Sequence, residues 1–153
     1  MRINVVDPKL LSDVHLRAEY REILMLPYYY VKSSNSKNGI VRSKISPTYT
    51  LNTGHAYFFY DKVGFVNERY IQLDAEMQVR GFKRRDFNDW QERLKPVLSS
   101  NMNSYTVTDD DRAINNERIL KRITTMYIDN KKPNYYKMNG KNCELVFWKE
   151  LYA

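Results

Sequence analysis

Apolar and polar positions change period several times along this chain, and each change marks an expected element. The first seven residues, MRINVVD, are short, β-branched and without helical period, which reads as an extended arm. Asp7-Pro8 then reads as a helix start, because Asp can cap free N–H groups and Pro fits a first turn. From Pro8 to about Met25 the pattern is helical. Leu11, His15, Ala18 and Glu22 fall on one face, and Leu10, Val14, Arg17 and Arg21 form the adjoining row. Both rows begin apolar and end charged, so this face turns polar toward its C-terminal end. Residues 32–54 form a long polar connection, punctuated by Ser46-Pro47 and Gly54. A second helix is expected from Gly54 to Arg80, with Phe59, Val63, Val66, Tyr70, Leu73 and Met77 as its core stripe and Gly81 as its stop. The region 83–107 is basic and then polar, with a short helix near Phe87–Leu94 that Pro96 should cut off. Thr108, followed by Asp109, Asp110 and Asp111, predicts a capped third helix running to about Tyr127. The tail, 128–153, reads as an aromatic loop with no convincing strand pairs. The expected fold class is all-α: a single compact domain over residues 1–153, with three main helices and long connections.

Composition adds a partner class. The chain has 153 residues, with 25 Lys+Arg against 18 Asp+Glu, a surplus of +7. It also carries 13 Tyr, 6 Phe and 2 Trp. Cations bind phosphates and aromatic faces stack on bases, so this combination suggests a nucleic-acid ligand. One Cys excludes an internal disulfide, and with only two His a structural zinc site is not expected. The N-terminus shows no signal-peptide pattern and no apolar run approaches a membrane span. The expected setting is intracellular, with no membrane partner and a monomeric chain.

Candidate chemistry gathers at a few places. Arg21-Glu22 closes the first expected helix, and a carboxylate flanked by cations stays ionised, able to act as a base or to stabilise a developing cation. The competing reading is a solvated charge pattern shared with Arg17 and Glu19. His15 can touch phosphate or simply pack. Arg118 and Arg122, four apart on the third helix, present one cationic edge at a spacing suited to phosphates. PNYYKMNGK at 133–141 sets Tyr135 and Tyr136 beside Lys137 and Lys141. These rings can stack on bases or close the core, and one of the two is expected to be buried.

Several segments together resemble one family. RIN at 2–4, HLRAEYRE at 15–22, KISPTYTLNTGH at 44–55, FFYDK at 58–62 and RGF at 80–82 are similar to the pyrimidine-dimer DNA glycosylases of the phage endonuclease V type. ERILKRI at 117–123 and PNYYKMNGK continue the likeness. The resemblance covers most of the chain, leaving out roughly 83–104, an insertion near 124–132 and the final turn. It implies an all-α fold whose N-terminal arm threads to the active site. It also implies a metal-free, cofactor-free glycosylase with coupled abasic-site lyase activity on cis-syn cyclobutane pyrimidine dimers in double-stranded DNA.

In that family the nucleophile is the α-amine of the mature N-terminal residue, usually a threonine. Aligned through RIN, that position falls on Met1, and Arg2 is too large for usual methionine removal. Met1 is therefore expected to be retained and to supply the amine. An α-amine ordinarily titrates at about 7.7–8.0, against about 10.4 for lysine, so roughly a tenth is neutral at pH ~7. By the same resemblance Glu22 is the essential carboxylate. Arg2, Arg21 and Arg118 match phosphate-holding residues, Arg122 replaces a lysine, and His15 matches a phosphate or sugar contact. Tyr136 and Lys137 match the aromatic-basic tail near the lesion. Met25 stands where the phage enzyme has an arginine, and Tyr70 where the family has a glutamine lining a pocket for the adenine opposite the lesion. These two departures keep a glycosylase for another damaged base in view. A non-catalytic DNA-binding protein on the same scaffold is the remaining alternative.

Overall fold

The computed structural model describes residues 1–98 and 102–153 and is predominantly helical, as the patterning predicts. In chain order the helices are α1 (Asp13–Glu22), α2 (Met25–Ser34), α3 (His55–Phe58), α4 (Val63–Val79), α5 (Phe87–Leu98), α6 (Asp109–Ile128) and α7 (Leu145–Leu151). A two-stranded hairpin, β1 (Lys137–Met138) with β2 (Lys141–Asn142), sits between α6 and α7. The polar stretch expected within 83–107 includes 99–101, which lie outside the described residues.

Each of the first two expected helices is broken. Asp7 does cap a start, accepting from the Lys9 N–H at 2.9 Å, but only for a 3-10 turn over Pro8–Leu10. The α-helix starts afresh after Ser12, whose Oγ accepts from the His15 N–H at 3.2 Å. It ends at Glu22, and α2 begins a new helix that the polar and tyrosine-rich sequence concealed. Pro27 is tolerated there because it lies in the first turn, where N–H groups have no helical acceptor. The expected Gly54–Arg80 helix divides into α3 and α4. Lys62 marks the break: its Nζ donates to the Phe58 carbonyl at 2.9 Å and lies 3.9 Å over the Phe58 ring. The i+4 spacing of Phe59 and Val63 survives that break, so periodicity alone could not reveal it.

Other ends are as expected. Thr108 and Asp111 form a reciprocal capping box at the start of α6. Gly81, at φ 72°, closes α4. The Phe82 N–H bonds to Met77 O at 2.9 Å and the Gly81 N–H to Gln78 O at 3.0 Å, the paired bonds of a Schellman end. Pro96, in contrast, does not stop α5. Trp90, Leu94 and Val97 are all buried, and their continuous apolar face carries the helix past a proline that forfeits one bond in its last turn.

The chain sorts into two compact units. The first comprises Met1–Ile3 and Glu19–Thr106. Within it α2 packs on α5 and on α3. The last turn of α1 is fixed to α4 by a buried ion pair: Arg69 Nε to Glu19 Oε1 at 2.7 Å and Nη2 to Oε2 at 2.9 Å. Beside it Tyr70 is fully buried, stacked on Trp90 with centroids 4.4 Å apart and donating to the Tyr20 hydroxyl at 3.2 Å. Tyr20 in turn donates to Asp74 at 2.9 Å. Burial raises the Tyr70 hydroxyl far above the ordinary phenol range, and the Tyr20 hydrogen bond adds to the shift.

The second unit comprises Asn4–Ala18 and Val107–Ala153. Here the tail expected to be a loop is ordered by three devices. Asn139 and Gly140, both at positive φ, make the tight hairpin turn that the Asn-Gly pair favours. Asp13 receives that turn, its two oxygens accepting the Asn139 and Gly140 N–H groups at 2.9 and 2.7 Å. The Tyr127 hydroxyl donates to Cys143 O at 2.7 Å and accepts from Trp148 Nε1 at 2.8 Å, which docks α7 on α6.

Removing one member of a buried, hydrogen-bonded ion pair strands the other. Glu19→Ala should therefore destabilise the protein by about 3–5 kcal/mol, a fall in Tm of roughly 10 °C for a chain of this size. Glu19→Leu combined with Arg69→Met should recover most of that loss in the same thermal melt. Tyr70 gives an alkaline prediction. Its proton is held more tightly folded than unfolded, so its contribution is complete below the unfolded value near pH ~10 and declines above it. Chemical denaturation of Tyr70→Phe should show a shallower loss of stability from pH ~10 upward than the parent.

Candidate active site

Each unit holds its own group of the residues singled out in the sequence. In the first unit these are Met1, Arg2, Arg21 and Glu22. Met1 and Arg2 are half-buried, and the next residue is fixed rigidly. Ile3 is fully buried. Its N–H donates to His55 Nε2 at 2.8 Å, and its carbonyl accepts from the Tyr49 hydroxyl at 2.8 Å. His55 is set by its other nitrogen, Nδ1, at 2.7 Å from Thr50 O. A carbonyl can only accept, so Nδ1 carries the proton and Nε2 is the acceptor. The imidazole ring is wedged edge-on among aromatic rings, 5.6 Å from Tyr49 and 5.3 Å from Phe59 between centroids.

The last turn of α1 separates two carboxylates that the sequence could not tell apart. Glu19 faces inward and is consumed by Arg69. Glu22, three residues on, is half-buried, and its carboxylate has no hydrogen-bond or ion-pair partner among the described residues. Arg21 is exposed. A solvated pattern shared by Glu19 and Glu22 therefore does not describe this turn, since Glu19 is only 2% exposed.

In the second unit the structure brings His15 and Tyr136 together. Their rings stack with centroids 4.7 Å apart and an interplanar angle of 13°. His15 Nδ1 lies 2.9 Å from Ser12 Oγ, a buried hydroxyl. As expected, one tyrosine of the pair is buried: Tyr136 is 5% exposed and Tyr135 is 44% exposed. Tyr136 has Tyr127 as a further stacking neighbour at 6.5 Å. Its ring stacks on His15 and Tyr127, and Tyr135 is the exposed ring of the pair. Lys137 and Arg122 are exposed. Arg118 is half-buried and donates through Nη2 to Asn4 Oδ1. Asn4 also accepts from Asn115 Nδ2 at 2.9 Å, and Asn115 Oδ1 accepts the Val5 N–H at 2.6 Å. One buried asparagine thus holds two consecutive residues of the arm.

Residues 1–89 match the family model of pyrimidine dimer DNA glycosylases, more than half of the 153-residue chain. The chain belongs to this family. Membership makes DNA the substrate class of the chain. The matched glycosylase span contains Met1, Arg2, His15, Arg21 and Glu22 and ends within α5. Arg118, Arg122, Tyr136 and Lys137 lie beyond it. Among the described residues no helix is long and apolar enough to cross a membrane. Two departures noted in the sequence also find their places. Met25, 41% exposed, opens α2. Tyr70 is wholly covered by its stacking partners, so its ring borders no open pocket in this glycosylase.

Sequence reasoning missed His55, Tyr49 and Asn115. The first two lie in the KISPTYTLNTGH segment that carried the likeness, yet nothing in their spacing says they hold the arm. Asn115→Ala removes partners from Asn4 and from the Val5 N–H together. It should destabilise the protein by about 1–3 kcal/mol, the penalty for leaving a buried group unsatisfied. Hydrogen exchange at the Val5 amide should accelerate more than at amides in the middle of α4.

Proposed function

We propose that this chain is a bifunctional DNA glycosylase and abasic-site lyase that excises cis-syn cyclobutane pyrimidine dimers from ultraviolet-damaged double-stranded DNA, with the Met1 α-amine as nucleophile. The observation that carries the reading is the family match beginning at residue 1 and running through Glu22. It is supported by the contrast on the last turn of α1, where Glu19 is spent on Arg69 and Glu22 is left unpaired among the described residues.

The chemistry then follows from the groups present. The neutral amine attacks C1′ of a nucleotide of the dimer. The C1′–N glycosidic bond breaks and its electron pair leaves with the base, which takes up a proton. The attached nitrogen loses a proton, the C1′–O4′ bond opens with protonation of O4′, and an iminium between Met1 and C1′ results. That iminium acidifies the C2′ proton. Its removal drives β-elimination, in which the C3′–O bond breaks and the 3′ phosphate departs with the electron pair. Water then hydrolyses the imine and restores the amine. Glu22 stabilises positive charge building on the sugar and carries protons during ring opening and elimination. By the same resemblance Arg2, Arg21 and Arg118 are assigned to phosphates, Arg122 keeps a cation where the family has a lysine, and Lys137 belongs to the aromatic-basic tail assigned to the lesion. His15, oriented by Tyr136 and Ser12, is assigned to a phosphate or sugar contact.

Borohydride reduction tests this reading, because it converts the imine to a stable amine. A covalent protein–DNA adduct is expected on dimer-containing duplex and on abasic duplex, with the cross-link at Met1 by peptide mapping. Glu22→Gln should bind duplex DNA as the parent does, with dimer excision lowered by about 10²–10⁴-fold. No adduct on either substrate would reject the imine mechanism. An adduct mapped to a lysine would reject Met1. Unimpaired excision by Glu22→Gln would remove Glu22 from the site.

A further inference from the structure

The Ile3 contacts describe a device that the proposed chemistry requires. We propose that His55 and Tyr49 are positioning residues for the nucleophile, a two-sided clamp on the Ile3 backbone that fixes the point from which the Met1 α-amine reaches its substrate. The inference rests on the reading of Met1 as the nucleophile.

Ile3 has two main-chain hydrogen-bonding groups, and both are claimed by side chains distant in sequence. His55 takes the N–H at 2.8 Å and Tyr49 gives its hydroxyl proton to the carbonyl at 2.8 Å. Both side chains are nearly inaccessible, Tyr49 at 1% and His55 at 4% exposed, so neither bond competes with bulk water. The clamp is itself anchored. Thr50 O fixes the His55 tautomer, and Tyr49 stands edge-on to His55, Phe58 and Phe59 with centroids 5.6, 5.9 and 6.3 Å apart. The Ile3 side chain is buried as well, so the residue cannot turn about its own axis.

Two residues separate this fixed point from the chain's first atom. An extended chain advances about 3.3–3.6 Å per residue, so the α-amine is confined within about 7 Å of Ile3. An unheld arm would have to be ordered at each turnover, at a cost in backbone entropy for every residue fixed. The clamp moves that ordering into folding and leaves the amine near its attack geometry beforehand. The bond to Ile3 also fixes which state of His55 is competent. A doubly protonated ring would place an N–H against the Ile3 N–H, so only the neutral ring with a bare Nε2 holds the arm. Tyr49, edge-on to this ring, keeps its own proton on the Ile3 carbonyl and so complements the neutral imidazole.

The test separates positioning from folding and from DNA binding. His55→Phe keeps a flat ring and removes the acceptor. His55→Gln restores an acceptor near the Nε2 position. Tyr49→Phe removes only the hydroxyl. Single-turnover borohydride trapping on abasic duplex should slow roughly tenfold to a hundredfold in His55→Phe and Tyr49→Phe, with duplex affinity unchanged. The rate should return toward the parent in His55→Gln. Hydrogen exchange at the Ile3 amide, read without DNA, should accelerate in His55→Phe and stay slow in His55→Gln. Should His55→Phe fail to fold, Tyr49→Phe carries the same comparison. Parent-like trapping in folded His55→Phe or Tyr49→Phe would overturn the clamp while leaving Met1 as nucleophile. A parent that traps nothing, or traps through a lysine, would overturn the Met1 reading and the clamp with it.

Discussion

Arg69 lies on α4 with almost no exposure, and a guanidinium cannot shed its charge to suit its surroundings. It therefore needs a carboxylate in bidentate reach, and Glu19 supplies both oxygens. That requirement fixes the rotation of the last turn of α1. Once Glu19 points inward, the helical step of about 100° per residue turns Arg21 to the far side and leaves Glu22 on the flank. The observed exposures follow this order: Glu19 buried, Glu22 half-buried, Arg21 exposed. The same turn presents Tyr20 to Asp74 and Tyr70, so two polar links from α4 hold it in place. The carboxylate assigned to catalysis thus owes its placement to a neighbouring carboxylate with a purely structural task.

Much of the fold was legible because it rests on local signals. The capping box at Thr108–Asp111 and the stop at Gly81 are written in consecutive residues, and both formed as expected. The errors have local causes too. Periodicity from Phe59 to Val63 runs straight through the α3–α4 break because the i+4 step preserves the phase. Pro96 reads as a stop on intrinsic propensity, which takes no account of the burial of Trp90, Leu94 and Val97. The tail reads as a loop although MNGK carries the Asn-Gly hairpin signal, because its four strand residues are too few to show alternation.

The site was legible to a different degree. Residues that act through charge, such as Arg21 and Glu22, stand out in a sequence, and the family likeness assigned them roles. Residues that act by holding backbone do not stand out. His55, Tyr49 and Asn115 reach the arm across separations of 52, 46 and 110 residues. No pattern of spacing reports a bond of that range to a peptide group that every residue possesses.

That last point bears on the substitution at the chain's start. The proposed reagent is a main-chain amine, and the bonds that hold Ile3 and Val5 are made to main-chain groups. Of the arm's side chains, Asn4 and the apolar residues from Ile3 to Val6 enter the packing. The side chain at position 1 takes no part in the proposed reagent, which is a main-chain amine. A methionine can stand where the family resemblance implies a threonine, because the proposed device is built from backbone. An added or removed residue is a different matter. It would shift the amine by about 3.5 Å from a fixed Ile3, well beyond the ~1 Å misplacement that already costs about a hundredfold in rate. Length is therefore the property of the arm under constraint, and the buried holds on Ile3, Asn4 and Val5 are what set it.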